Sequence, residues 1–146
     1  MKIVTSPITT DSETSLSPHK TCARGWYRLQ LPGDLSAVIS DNGALVKDYL
    51  VIGKGMETPP FILFHASALL GYLGSTLLVP ETKSAIVILG NTLGLQDAPN
   101  WVSGLLLETL LDTPEKNDYV KLTREAAHAG SKLFPTCFNR LKRREY

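Results

Sequence analysis

Ser17-Pro18-His19-Lys20 places a hydroxyl and an amine at Ser-x-x-Lys spacing. One helical turn apart, the amine reaches the hydroxyl and helps take its proton, which turns a serine into an acyl-accepting nucleophile. That chemistry needs the pair at the start of a packed helix. Here Thr21-Cys22-Ala23-Arg24 runs directly into Gly25 and a strand pattern, so Ser17 and Lys20 are not expected to act as a catalytic pair. A pattern with two fixed positions also recurs by chance in a Ser-rich stretch.

His65 is the second candidate. It interrupts the apolar run FILFHASALLGYLGSTLLVP, where a half-buried strand ordinarily carries an aliphatic residue. Two readings fit: a structural histidine satisfied by one donor and one acceptor, or half of an active site. Asn91 is the third. It ends the apolar segment SAIVILGN, where it either turns the chain or offers its amide to a ligand at the sheet edge. Other constellations are absent: no Gly-rich phosphate loop, no His-Glu-x-x-His, no Gly-x-Ser-x-Gly elbow and no concentration of paired carboxylates. Cys22 and Cys137 make no metal-ligand spacing, and both a single bridge and two reduced thiols fit them. No metal or cofactor is expected.

The elements that would position these residues follow from periodicity. RGWYRLQLPG alternates, with Trp26, Arg28 and Gln30 on one face and Tyr27, Leu29 and Leu31 on the other, before a Pro32-Gly33 turn. LSAVIS reads as a strand ending at an Asp41-Asn42-Gly43 turn. LVKDYLVIG is compatible with a short strand, followed by loop from Gly53 to Pro60. FILFHAS, YLGSTLLVP and SAIVILGN are three further strands, the last so apolar that burial on both faces is expected. Their short connections require antiparallel neighbours, because a parallel crossover needs about a dozen residues. The period then changes. Asp97 can cap a helix over PNWVSGLLLETLLD, with Trp101, Leu105, Leu106, Thr109 and Leu110 as its apolar face and Pro99 in its first turn. A second helix is expected from about Glu115 to Leu133, with Tyr119, Leu122, Ala126 and Ala129 on one face and a stop before Pro135. The sum is an α+β fold: an antiparallel meander followed by two C-terminal helices.

The 146 residues fit one domain, and 43% hydrophobic with 20% charged residues describes an ordinary globular chain. A net charge of +1 gives no pull toward nucleic acid or membrane, and the short basic run NRLKRREY reads as a solvated end. No window approaches the apolar length of a transmembrane helix. The N-terminus lacks the apolar stretch of a secretory signal, so a cytoplasmic location is expected.

The order of the pieces adds a resemblance. GWYRLQLPG, then His65-Ala66-Ser67 with Gly71-Tyr72, then VPETKSAIVILGNTLGLQDAPNWVSGLLLETLLD and NDYVKLTREAA, together resemble the C-terminal part of class C β-lactamase-related serine hydrolases. The likeness is to the fungal branch, found among secreted hydrolases and secondary-metabolite gene clusters, and covers residues 24 to 133. It implies a partial β-lactamase/transpeptidase-like fold: an extended arm over 1–23, the sheet with its C-terminal helix over 24–112, and a helical extension with a basic tail over 113–146. In that family the strand beside the nucleophile carries Lys-Thr-Gly or His-x-Gly, the place His65-Ala66-Ser67 takes here. The resemblance implies a substrate-binding strand made of His65, Ser67 and Ala68, with Asn91 beyond it. The backbone N–H of Ala68 would be an oxyanion donor. Two departures matter. Ser67 stands where the family has glycine, which would crowd the groove, and no Tyr-x-Asn or Tyr-x-Ser occurs.

A β-lactamase-like protein of the serine hydrolase or acyltransferase lineage, truncated and not catalytic alone, is therefore the expectation. His65 would be the remnant of a site. Alternatives are one chain of a split acyl hydrolase or acyltransferase, completed by a partner chain that supplies the missing helical half, and a non-catalytic binding module. The expected ligand is a small-molecule acyl substrate. Neither nucleic acid nor membrane is an expected partner.

Overall fold

Alternation of apolar and polar residues organises the first half of the chain. The computed structural model describes residues 20–23, 25–35, 40, 42–47, 50–69, 71–91, 94 and 96–142, with backbone alone at 20–23 and 133–142. In chain order the elements are β1 (Lys20–Ala23), β2 (Trp26–Gln30), β3 (Gly33–Asp34), a one-turn helix α1 (Asn42–Leu45), β4 (Val51–Ile52), β5 (Phe61–Leu69), β6 (Tyr72–Val79), β7 (Ser84–Gly90), α2 (Ala98–Leu110) and α3 (Tyr119–Lys142). One antiparallel sheet runs β1-β2-β5-β6-β7, and β3 pairs with β4 beside it. The fold is α+β, an antiparallel sheet followed by two C-terminal helices. No described helix is long and apolar enough to cross a membrane.

Residues paired across antiparallel strands share a face. Leu29, Ile62, Phe64, Leu77, Val79 and Ile86 therefore line one side of the sheet, where they form the core with Trp101 and Leu107 of α2 and Tyr119, Leu122 and Ala126 of α3. Leu35, Val46, Leu50 and Ile52 close that core from the segment between β2 and β5. The opposite face carries Trp26, Arg28, Leu63, His65, Ser67, Leu69, Tyr72, Thr76, Val87 and Leu89; Leu63 is buried there, whereas His65, Ser67, Leu69, Tyr72, Val87 and Leu89 are exposed.

Four expectations change. The sheet begins inside the stretch read as an arm, because Lys20–Ala23 pair with Trp26–Leu29; residues 1–19 lie outside the described residues, as do 36–39 of the expected LSAVIS strand. Asn42-Gly43 opens α1 rather than a hairpin, since the Asn42 side chain is buried and bonded to Asp97 and Asn100. β7 is buried on one face only: Val87 is 56% and Leu89 82% exposed. The third change is physical rather than compositional, because among the described residues β7 is the last strand of the sheet and its Val87 and Leu89 face has no covering layer.

The fourth concerns the helices. Asp97 does cap α2, accepting the Asn100 N–H at 3.1 Å. The buried stripe, however, is Asn100, Trp101, Ser103, Gly104, Leu107 and Glu108, whereas Leu105, Leu106 and Leu110 are exposed. Polar partners in the interior set this rotation: Ser103 accepts from Ser75 at 2.9 Å, and Gly104 lets Tyr119 approach closely. α2 ends in a Schellman arrangement, with Asp112 in the left-handed region (φ 47°), Asp112 N–H to Thr109 O and Thr113 N–H to Glu108 O. α3 starts at Tyr119 rather than near Glu115 because Asp118 caps it, accepting the Lys121 N–H at 2.9 Å. It also runs through Pro135 to Lys142: the proline removes one N–H from the ladder while the turns on either side carry the helix on.

Candidate functional site

His65 lies on the uncovered face of the sheet, opposite Thr76 of β6 and beside Trp26 of β2. Its Nδ1 is 2.7 Å from the carbonyl oxygen of Gly25. A carbonyl can only accept, so Nδ1 carries a hydrogen and donates. In the neutral ring, Nε2 is then the unprotonated nitrogen. It makes no hydrogen bond to a described residue, and it lies on the exposed side of the sheet. Gly25 makes this geometry available: at φ +81° it closes the turn between β1 and β2 in the left-handed region, which a side chain would strain. The Trp26 ring sits 5.9 Å from the imidazole, tilted by 51°, and fixes its other side. A histidine oriented by one carbonyl and one ring keeps its second nitrogen able to accept a hydrogen bond from a ligand.

β5 supplies the rest of the wall. Its pairing with β2 ends at Phe64 opposite Tyr27, whereas its pairing with β6 continues to Leu69 opposite Tyr72. Two residues separate Leu69 from Tyr72, so these two close the hairpin. The alternation of an antiparallel ladder then turns the N–H groups of Ala66 and Ala68 away from β6. Among the described residues no strand pairs with β5 on the β2 side beyond Phe64, so this stretch next to His65 is where a backbone donor could serve a ligand.

Ser67 is on the same face as His65, two residues on, and is exposed. It makes no hydrogen bond to His65. Its hydroxyl lies over Gly74 of β6: a β-carbon placed on Gly74 would stand 2.6 Å from Ser67 Oγ. The side chain expected to crowd the groove therefore leans across the strand pair, into room that a glycine provides. Ala68 belongs to the other face, opposite Leu73, so its contribution is the backbone N–H alone.

Asn91 is not brought to this wall. It follows Gly90, the partner of Leu73, two strands away from β5. Strand spacing and rise put its Cα about 17 Å from that of His65, too far for one small ligand to touch both side chains directly. Ser17 lies outside the described residues. Lys20 begins β1, so its backbone is strand rather than helix, and its side chain is not described. The side chains of Cys22 and Cys137 also fall outside the description. No group of three His, Cys, Asp or Glu among the described residues could hold a metal ion.

The sequence reading missed Gly25 and Trp26 as the groups that orient His65. The signal was present: a Gly-Trp pair opening a strand next in order to the histidine strand. Comparison with protein-family models, with curated proteins and with solved structures finds no match.

Proposed function

We propose that the chain is a scaffold of the β-lactamase-related serine hydrolase and acyltransferase lineage that keeps one wall of an acyl-transfer site and is not catalytic alone. One observation carries this reading: His65 is held by Gly25 O, its Nε2 makes no hydrogen bond to a described residue, and it stands exposed beside the stretch of β5 that, among the described residues, β2 does not pair. A substrate acyl group lying along β5 would meet the Ala68 N–H at its carbonyl oxygen and the imidazole on its flank. The nucleophile that forms an acyl-enzyme would come from another chain packed on that open face. Acyl transfer to an alcohol or amine is as consistent with the wall as hydrolysis, since either acceptor resolves the same acyl intermediate. A partial β-lactamase/transpeptidase-like fold remains part of this proposal, supported by the order of the strands and helices.

A fluorescent β-lactam tests it. Reversible binding is expected to perturb the emission of Trp26, and His65→Ala is expected to weaken it at least about tenfold, the loss of one good polar contact. Intact mass is expected to show no covalent adduct. A serine adduct abolished by Ser17→Ala would make the chain an enzyme in its own right. No binding at all would remove the retained wall.

A further inference from the structure

We propose that the free edge of β7 and the exposed stripe of α2 form the interface of a homodimer, with two copies of β7 paired antiparallel about a two-fold axis at Val87. Among the described residues no strand pairs with the outer edge of β7, so a row of N–H and C=O groups is left facing solvent. Soluble proteins ordinarily blunt such an edge with lysine, proline or a bulge. Ser84–Gly90 reads SAIVILG, with no charge and no proline. The edge is thus open and unguarded.

α2 extends the same surface. It runs antiparallel to β7, since Pro99 lies against Gly90 while Leu106 and Leu110 reach Ser84, Ala85 and Ile86. A shallow groove touches all three of those consecutive strand residues, whose side chains alternate between faces, so the groove follows the strand edge. Its helical rim is Leu106, Thr109 and Leu110, continued by Val102 one turn earlier. These apolar residues are about two-fifths exposed, although they belong to an otherwise well-buried helix.

A second copy fits this surface better than a charged partner. Neither the strand nor the helical stripe carries a charge, so a charged segment would bury an unpaired group, while a copy of the chain brings the same uncharged surface. A two-fold axis at Val87 sets Val87 against the partner's Val87, and Ala85 against the partner's Leu89. The small Ala85 thus faces the large Leu89 on both sides of the axis, and the two valines meet on it. On the other face Ile86 meets the partner's Ile88. The two sheets become one continuous sheet, with both α2 helices on the same side and their leucine stripes facing. Seven strand residues extend about 24 Å, and a sheet layer plus a helix layer add about 20 Å in depth. The footprint is on the order of 500 Å² in projection, of the same order as the roughly 800 Å² per partner of a stable interface.

Sedimentation equilibrium of the full chain tests the proposal. The 16.0 kDa chain is expected to sediment at twice that mass. Val87→Lys and Val87→Glu are each expected to be monomeric, because the axis sets like charges against one another. Mixed, they are expected to recover a one-to-one dimer, since opposite charges then meet. Leu106→Lys, on the helical half of the surface, is expected to weaken the wild-type dimer at least tenfold. A monomeric wild type, a dimer that survives Val87→Lys, or a mixture that stays monomeric would each overturn the interface.

Discussion

Asn117 ties three elements together through Glu108. The Glu108 carboxylate accepts the main-chain N–H of Asn117 at 3.1 Å and its side-chain amide as well, and that amide also donates to Val51 O at 3.0 Å. Glu108 is 1% exposed, so its oxygens depend on these donors in place of water. Asn117→Ala removes the amide donor, leaving the buried carboxylate the main-chain N–H alone, and is expected to destabilise the chain by about 2–3 kcal/mol in urea unfolding. Replacing both residues by leucine is expected to cost less than the sum of the single changes, because no orphaned carboxylate remains. An Asn117→Ala protein as stable as wild type would show that the pair is incidental.

Asn42 does the same for the start of α2. Its Nδ2 donates to Asp97 O at 2.8 Å and to Asn100 Oδ1 at 3.2 Å, while its Oδ1 accepts the Asp97 N–H at 2.8 Å. Asn42→Asp preserves the shape but sets a second oxygen against two acceptors. A loss of about 2–4 kcal/mol is expected, larger than for an exposed asparagine such as Asn91 treated in the same way. Thermal melts of the two variants side by side separate these outcomes.

The apolar periodicity of Tyr27, Leu29 and Leu31, and of Phe61 to Val79, was enough to predict strands and the antiparallel run of β5, β6 and β7, but neither β1 nor the pairing of β2 with β5 across the segment between them. Short connections leave few alternatives, and Asp97 announces α2 through its capping chemistry. What periodicity could not convey was which face of β7 has a covering layer, since Val87 and Leu89 are as hydrophobic as any core residue. Nor could it give the rotation of α2, where Ser103 and Glu108 are inside and Leu106 outside because their polar partners sit on other elements. His65 was legible as an anomaly in an apolar run. Its orientation was not, because it comes from a main-chain carbonyl, and every residue has one. The positive φ of Gly25 that aims this carbonyl is a property of the backbone, visible in sequence only as a glycine before a strand.

Ser67 and Gly74 are expected to be coupled. Removing a strand glycine ordinarily gains about 0.5–1 kcal/mol, because the unfolded chain loses freedom. Here the new β-carbon of Gly74→Ala would press on Ser67 Oγ, so the gain is expected to vanish or reverse. In a Ser67→Gly background the contact is gone and the gain should return. A double-mutant cycle in urea is expected to give a coupling of about 1 kcal/mol. Simple additivity would mean that Ser67 rotates away at no cost.

The two faces of β7 and its neighbour β6 are expected to respond oppositely to substitution. Leu89 is 82% exposed and lies on the uncovered face, so Leu89→Thr removes little buried surface. Its effect on monomer stability is expected to stay within about 0.5 kcal/mol, the range of ordinary surface changes. Leu77, one strand away and 1% exposed, packs in the core, and Leu77→Ala is expected to cost about 2–5 kcal/mol through lost burial and the cavity left behind. Because the two leucines differ in face rather than in type, the comparison isolates burial from composition. Measured in a Val87→Lys background, it also separates monomer stability from any linkage to association, since a substitution at the interface otherwise shifts apparent stability by mass action. A large loss at Leu89 in that background would mean that a layer outside the described residues covers the open face, and that His65 shares its surface with it.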